Sequence, residues 1–107
     1  MVEMHPETVA ALGSSKEFIH TIDEMQERID KIRARRPSPT SRVIPEVDAE
    51  ARLTDLYIAP GTIETMTRQQ LTAEIVGAIQ ESAIDALRQH RLAVQATEWP
   101  RTRRAGQ

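Results

Sequence analysis

Hydrophobic positions change period twice along the chain. Phe18, Ile22, Met25, Ile29 and Ile32 recur at steps of four, three, four and three, a narrow seam on one side of a helix. Two short β-prone runs follow, Arg42 to Val47 and Arg52 to Ile58. In the second, Thr54, Leu56 and Ile58 alternate with Leu53, Asp55 and Tyr57, as the two faces of a strand require. The helical period then returns, with Leu71, Ile75, Ile79, Ala83, Ala86, Leu87, His90 and Val94 on one broad face. The expected order is helix, antiparallel hairpin, long helix. The class is α+β.

Local signals set the boundaries. Ser14-Ser15-Lys16-Glu17 fits a capping box, so the first helix is expected to start at Ser14, after a turn that Pro6 opens and Gly13 closes. It should fade near Arg35, because Pro37 and Pro39 cannot continue it. Arg36–Ser41 reads as an extended link, Asp48–Ala51 as a turn, and Ala59-Pro60-Gly61 as the end of the second strand. Pro45 cannot donate to a ladder, which places its strand at an edge or a bulge. Thr67 to Gln70 is a second capping box, and its helix is expected to reach Gln95 or Thr97 before Pro100. Gly77 costs that helix about 1 kcal/mol relative to Ala. Ile84 and Leu92 lie off its main stripe and hint at a second apolar contact. The resulting division is a flexible arm over 1–13, one domain over 14–97 and a basic tail over 98–107.

Composition makes such a domain difficult to stabilise alone. Its 107 residues include only Phe18, Tyr57 and Trp99 as aromatics, so the core must be aliphatic and alanine-rich. No cysteine is present to form a disulfide or a thiolate metal site. A lone two-stranded hairpin is marginal in water. Oligomerisation is the remaining source of burial, and the Phe18–Ile32 seam has two readings: it lies on the chain's own sheet, or part of it meets a second copy. No apolar run approaches the roughly 20 residues of a membrane span, and the start lacks a basic region followed by an apolar stretch. The expected address is cytoplasmic.

Candidate chemistry is sparse. His5, His20 and His90 are dispersed, and His90, on an apolar helix face, reads as a satisfied core residue. His20 and Glu24 have the i, i+4 spacing of a metal pair, but with Asp23 and Glu27 they read as a solvated acidic face. The four glycines are isolated and build no phosphate loop. No nucleophile-elbow pattern occurs. Catalytic residues, metal and cofactor are therefore not expected.

Charge is more informative than its net value of −2. Lys31, Arg33, Arg35, Arg36 and Arg42 form a stretch without an acid, and Arg101, Arg103 and Arg104 add a basic tail. Glu46, Asp48, Glu50, Asp55 and Glu64 make the hairpin region acidic around Arg52. The bases suit phosphate contacts, in which released counterions make affinity fall with salt. They equally suit a helix C-terminus, whose dipole favours cations. No aromatic interleaves them to stack bases, so duplex is the better fit.

The stretch Val43-Ile44-Pro45-Glu46-Val47-Asp48-Ala49-Glu50-Ala51-Arg52-Leu53-Thr54-Asp55-Leu56-Tyr57-Ile58-Ala59-Pro60 resembles the strand–turn–strand of the YbaB/EbfC family of bacterial nucleoid-associated proteins. Arg52–Pro60 carries that family's R-L-T-D-L-x-I-x-P pattern, and Leu71–Ile79 is similar to the L-A-x-x-I-x-x-A-I segment that follows. Ala51 stands where the family has a turn glycine, Pro45 interrupts the first strand of the pair, and a preceding strand is absent or reduced to Pro37–Ser41. The resemblance covers roughly Ser14 to Val94. It implies a homodimer whose hairpins join into one sheet, with long helices as arms, a nucleoid location and duplex-DNA binding of low sequence specificity. Lys31, Arg33, Arg35, Arg36 and Arg42 would then face phosphates, with Arg101, Arg103 and Arg104 auxiliary. Phe18, Ile22, Met25, Ile29, Ile32, Leu56, Ile58, Leu71, Ile75 and Ile79 would form the core and dimer contacts. A second implied role is a protein-binding dimeric adaptor or chaperone, of the kind found beside type VII secretion in actinobacterial relatives.

Overall fold

The computed structural model describes residues 6–100, with side-chain environments from residue 15 onward. Helix α1 (Pro6–Asp30) leads into strand β1 (Val43–Val47), strand β2 (Leu53–Ile58), the single turn α2 (Thr62–Thr65) and the long helix α3 (Arg68–Gln95). The α+β order expected from the periodicity is the order observed. Residues 1–5 of the expected arm, and residues 101–107 of the expected tail, lie outside the described residues.

Both ends of α1 differ from expectation. The helix opens at Pro6, a residue suited to a first helical position, and continues through Gly13. Ser14 therefore lies inside the helix, where its N–H is no longer a terminal orphan needing a cap. At the other end α1 stops at Asp30 rather than near Arg35. The sheet takes the backbone before the prolines do: Ala34 N donates to Val47 O at 2.9 Å, and Val47 N donates to Ala34 O at 3.0 Å. Ser38 N donates to Val43 O at 2.8 Å in the same antiparallel register. Residues 34–38 thus run beside β1 as a rudimentary third strand, and Ser38–Val43 is a tight turn rather than an extended link.

Pro45 explains why that third strand stays rudimentary. Alternate residues of an antiparallel strand aim their main-chain groups to the same side. Val43 and Val47 aim theirs at residues 34–38, so Pro45 leaves its missing N–H opposite Arg36. Arg36 O therefore has no main-chain donor there; the Ser82 hydroxyl lies 3.5 Å from it, and Ser82 Oγ also accepts from Arg36 N at 2.9 Å. On the other side β1 pairs with β2 from Val43↔Ile58 to Glu46↔Asp55, then shifts register at a bulge to Val47↔Leu53.

The core lies between β1 and α3. Val43, Pro45 and Val47 are fully buried on the helix side of the sheet, and α3 meets them with Ala78, Ser82 and Ala86, one turn apart. Small residues let helix and strand approach closely. The expected core was bulkier, and of its ten members only Ile32 is buried in the single chain. Phe18, Met25, Ile29, Leu56, Ile58, Leu71, Ile75 and Ile79 are half-buried, and Ile22 is exposed. Leu87 and Val94, expected on the buried face of the last helix, are also exposed, because the Ala78–Ser82–Ala86 stripe is the one turned to the sheet.

Two polar fastenings hold the loops. Asp48 Oδ1 accepts from Glu50 N at 3.0 Å and Arg52 N at 2.9 Å, closing a turn in which Ala51 takes the left-handed conformation (φ 63°). These N–H groups, Arg52's foremost, and the Arg52 guanidinium hold the Asp48 carboxyl below its usual range. Glu74 is likewise held low, first by the Ser38 hydroxyl and then by Thr40, whose Oγ1 donates to Glu74 Oε2 at 2.9 Å. The capping box of α3 forms as expected: Gln70 N donates to Thr67 Oγ1 at 3.1 Å, and Thr67 N donates to Gln70 Oε1 at 3.0 Å.

Three outcomes are expected. Ser82→Ala removes the partner of the part-buried Arg36 amide, and should lower unfolding free energy in urea by about 1 kcal/mol. Ala51→Gly relieves a left-handed alanine and should raise it by about 1 kcal/mol in the same measurement. Because Asp48 and Glu74 titrate lower when folded, their contribution is complete above the unfolded carboxylate range of about 4 and lost as pH falls through the folded values. The urea midpoint should therefore hold between pH 7 and about pH 5 and decline below about pH 4, with a smaller decline in Asp48→Asn.

Candidate nucleic-acid interface

Extended backbone distributes the basic stretch over two faces. Ala34, Arg36 and Ser38 turn toward α3, while Arg33 and Arg35 turn away. Arg33 Nη1 donates to Asp30 O at 3.0 Å and Ile32 O at 2.7 Å, placing its charge at the C-terminus of α1, where the dipole favours it. Arg35 pairs with Glu46 through Nη2 and Oε1. Arg36 Nε lies 3.6 Å from Asp85 Oδ2 on α3. Lys31 and Arg42 make no ion pair among the described residues. Arg101, Arg103 and Arg104 lie outside them. The five bases are adjacent in sequence, but the fold gives them different neighbours.

The carboxylates within the basic region are firmly held. Glu46 Oε2 accepts from Thr54 Oγ1 at 2.7 Å, and its pKa is lowered first by that hydroxyl and then by the Arg35 guanidinium. Asp85 accepts from Arg88 Nη2 at 3.0 Å and Gln89 Nε2 at 3.1 Å besides facing Arg36. Arg88 had no motif to mark it in the sequence. Packing of α3 on the sheet brings it beside Arg36, and the two line a shallow cleft with Pro37, Glu81, Ile84 and Asp85.

Other candidates resolve differently. His20 Nε2 and Glu24 Oε1 pair at 2.7 Å on the exposed side of α1, and no group of three or more potential metal ligands converges among the described residues. His90 is half-buried rather than a core residue. It lines an open cleft of about 470 Å³ with Gln26, Ile29, Asp30, Arg33, Asp48, Ala49, Glu50 and Arg52. The chain after α3 folds back on α1: Trp99 stacks on Phe18 at 6.1 Å between ring centres, and Arg28 Nη2 donates to Thr97 Oγ1 at 3.0 Å.

Large apolar side chains remain outside the core. On α3, Val76, Ile84, Leu87 and Val94 form a second stripe, away from the one that faces the sheet. At 1.5 Å per residue it runs for about 27 Å. Ile84 and Leu92, the two residues off the expected stripe, are both exposed (62% and 52%). On β2, Leu53 and Tyr57 are about half exposed (48% and 51%), and the strand's outer edge is unpaired among the described residues. No helix among them is long and apolar enough to cross a membrane.

No protein-family model matches the chain, and no curated protein does. Among solved structures it is similar to an uncharacterized protein, HP0035, from Helicobacter pylori, at 15% sequence identity and a TM-score of 0.61. The likeness covers 87% of this chain and 96% of that one, so the whole arrangement of helices and hairpin is a shared fold.

Proposed function

We propose that this chain is a non-catalytic homodimeric DNA-binding module of the YbaB/EbfC type, contacting duplex phosphates without reading sequence and acting in the cytoplasm on the nucleoid. The observation that carries the DNA reading is a set of solvated cations along the segment beside β1, with Lys31 and Arg33 beyond its Val47 end and Arg42 at its Val43 end. Lys31 and Arg42 make no ion pair among the described residues, Arg33 caps α1 and acts on Glu46 only through space, and Arg35 and Arg36 keep most of their side chains in solvent (64% and 51% exposed). The half-exposed Leu53 and Tyr57 on an unpaired strand edge support the dimer, since joining two hairpins satisfies main-chain groups and covers apolar surface together.

A second reading rests on a different observation. The Val76–Val94 stripe of α3 is long, apolar and exposed, which suits a helix of another protein and hence an adaptor or chaperone role.

Sedimentation at micromolar concentration should give the mass of a dimer. A duplex of random sequence should shift at low salt. With Lys31, Arg33 and Arg42 from each copy on phosphates, affinity should fall at least about 10³-fold between 50 and 200 mM salt. Absence of any shift at 50 mM salt would remove the DNA reading. Retention of a nuclease-resistant partner that is released by Leu87→Glu would favour the adaptor.

A further inference from the structure

We propose that Glu46 and Asp85 are internal counter-ions that restrain the DNA contact, and that Arg88 belongs with Arg35 and Arg36 to the set they restrain. This rests on the DNA reading above. Each carboxylate lies beneath the guanidinium it neutralises. Glu46 and Asp85 are only 15% and 14% exposed, against 64% for Arg35, 51% for Arg36 and 56% for Arg88. The outward edges of the three guanidiniums face solvent, where a phosphate would arrive.

Both carboxylates are also tied to neighbours other than Arg35 and Arg36. Thr54 Oγ1 fixes Glu46, while Gln89 Nε2 and Arg88 Nη2 fix Asp85. A phosphate that reaches Arg35 meets the negative charge of Glu46 directly behind it, and one that reaches Arg36 or Arg88 meets Asp85. A neutral pair attracts little counterion atmosphere from DNA, and the salt-dependent gain follows the number of phosphates neutralised. The restrained arginines therefore shape the surface while Lys31, Arg33 and Arg42 supply most of the attraction. The acids set how tightly and how salt-sensitively the chain binds.

Full-length protein and the variants Glu46→Gln and Asp85→Asn are titrated into a random-sequence duplex from 50 to 200 mM salt. Both substitutions keep the shape and a hydrogen-bond acceptor. Glu46→Gln frees one arginine per copy, two per dimer, so the slope of log affinity against log salt should steepen by about two, and affinity at the low-salt end should rise about tenfold. Asp85→Asn should steepen it by at least as much. Adding Arg35→Gln to Glu46→Gln should abolish that gain, and Glu64→Gln, which makes the same change in net charge elsewhere, should change little. Circular dichroism melting of each variant reports whether the fold is kept. Should Glu46→Gln lose its fold, Asp85→Asn, and Arg88→Gln added to it, decide the matter alone. Binding by the unaltered chain with no gain in folded variants over Glu64→Gln overturns this inference and leaves the DNA reading standing. Failure of every protein to bind at 50 mM salt removes both.

Discussion

One contact organises the molecule: the meeting of Val43, Pro45 and Val47 with Ala78, Ser82 and Ala86. It is close because the helix side is made of alanine and serine, and it is thin for the same reason. Buried aliphatic side chains contribute roughly 1.5–3 kcal/mol each, whereas alanine offers far less apolar area to remove from water. The bulkier residues, Ile22, Ile84, Leu87 and Tyr57 among them, remain partly or largely in solvent. A fold of 107 residues held by this interface is short of burial, and the open sheet edge and second helical stripe are the surfaces where more is to be gained.

Ser82 ties this packing to the path of the chain. Pro45 has no N–H to give to Arg36 O, and Ser82 Oγ, on the buried face of α3, meets both that carbonyl and the Arg36 amide. The serine is also small enough to keep helix and strand in contact. One residue thus answers a packing demand and a hydrogen-bonding demand created by a proline 37 positions earlier in sequence. It holds Arg36 in extended backbone, and from there the Arg36 side chain reaches Asp85.

Periodicity revealed the elements because it reports local geometry. The seam from Phe18 to Ile32, the hairpin flanking Asp48–Ala51 and the Thr67 capping box each lie within a few residues of what they specify. Boundaries governed by partners distant in sequence were illegible. Nothing near Asp30 says that Ala34 will pair with Val47, so the end of α1 was placed five residues late. Of the buried stripe of α3 the periodicity caught Ala86 and passed over Ala78 and Ser82, because Leu71, Ile75 and Leu87 are more hydrophobic, although the small residues suit the close approach. Arg33, Arg35 and Arg36 were legible as cations. Their ion pairs with residues 11 and 49 positions away, and the recruitment of Arg88, were not.

Those pairings change the meaning of the charge pattern. A chain of net charge −2 with a basic stretch beside an acidic hairpin leaves open which acids meet which bases. Folding instead places acids under particular bases: Glu46 under Arg35, and Asp85 under Arg36 and Arg88. Exposed ion pairs contribute roughly 0–1 kcal/mol to stability, too little for these to be the main support of the fold. Their larger effect is on the field outside the molecule, because each cancels a cation at the distance from which a polyanion would sense it. Within the basic stretch Lys31 and Arg42 are left without such a pair among the described residues, while Thr54 and Gln89 hold the two acids in place beneath Arg35 and Arg36.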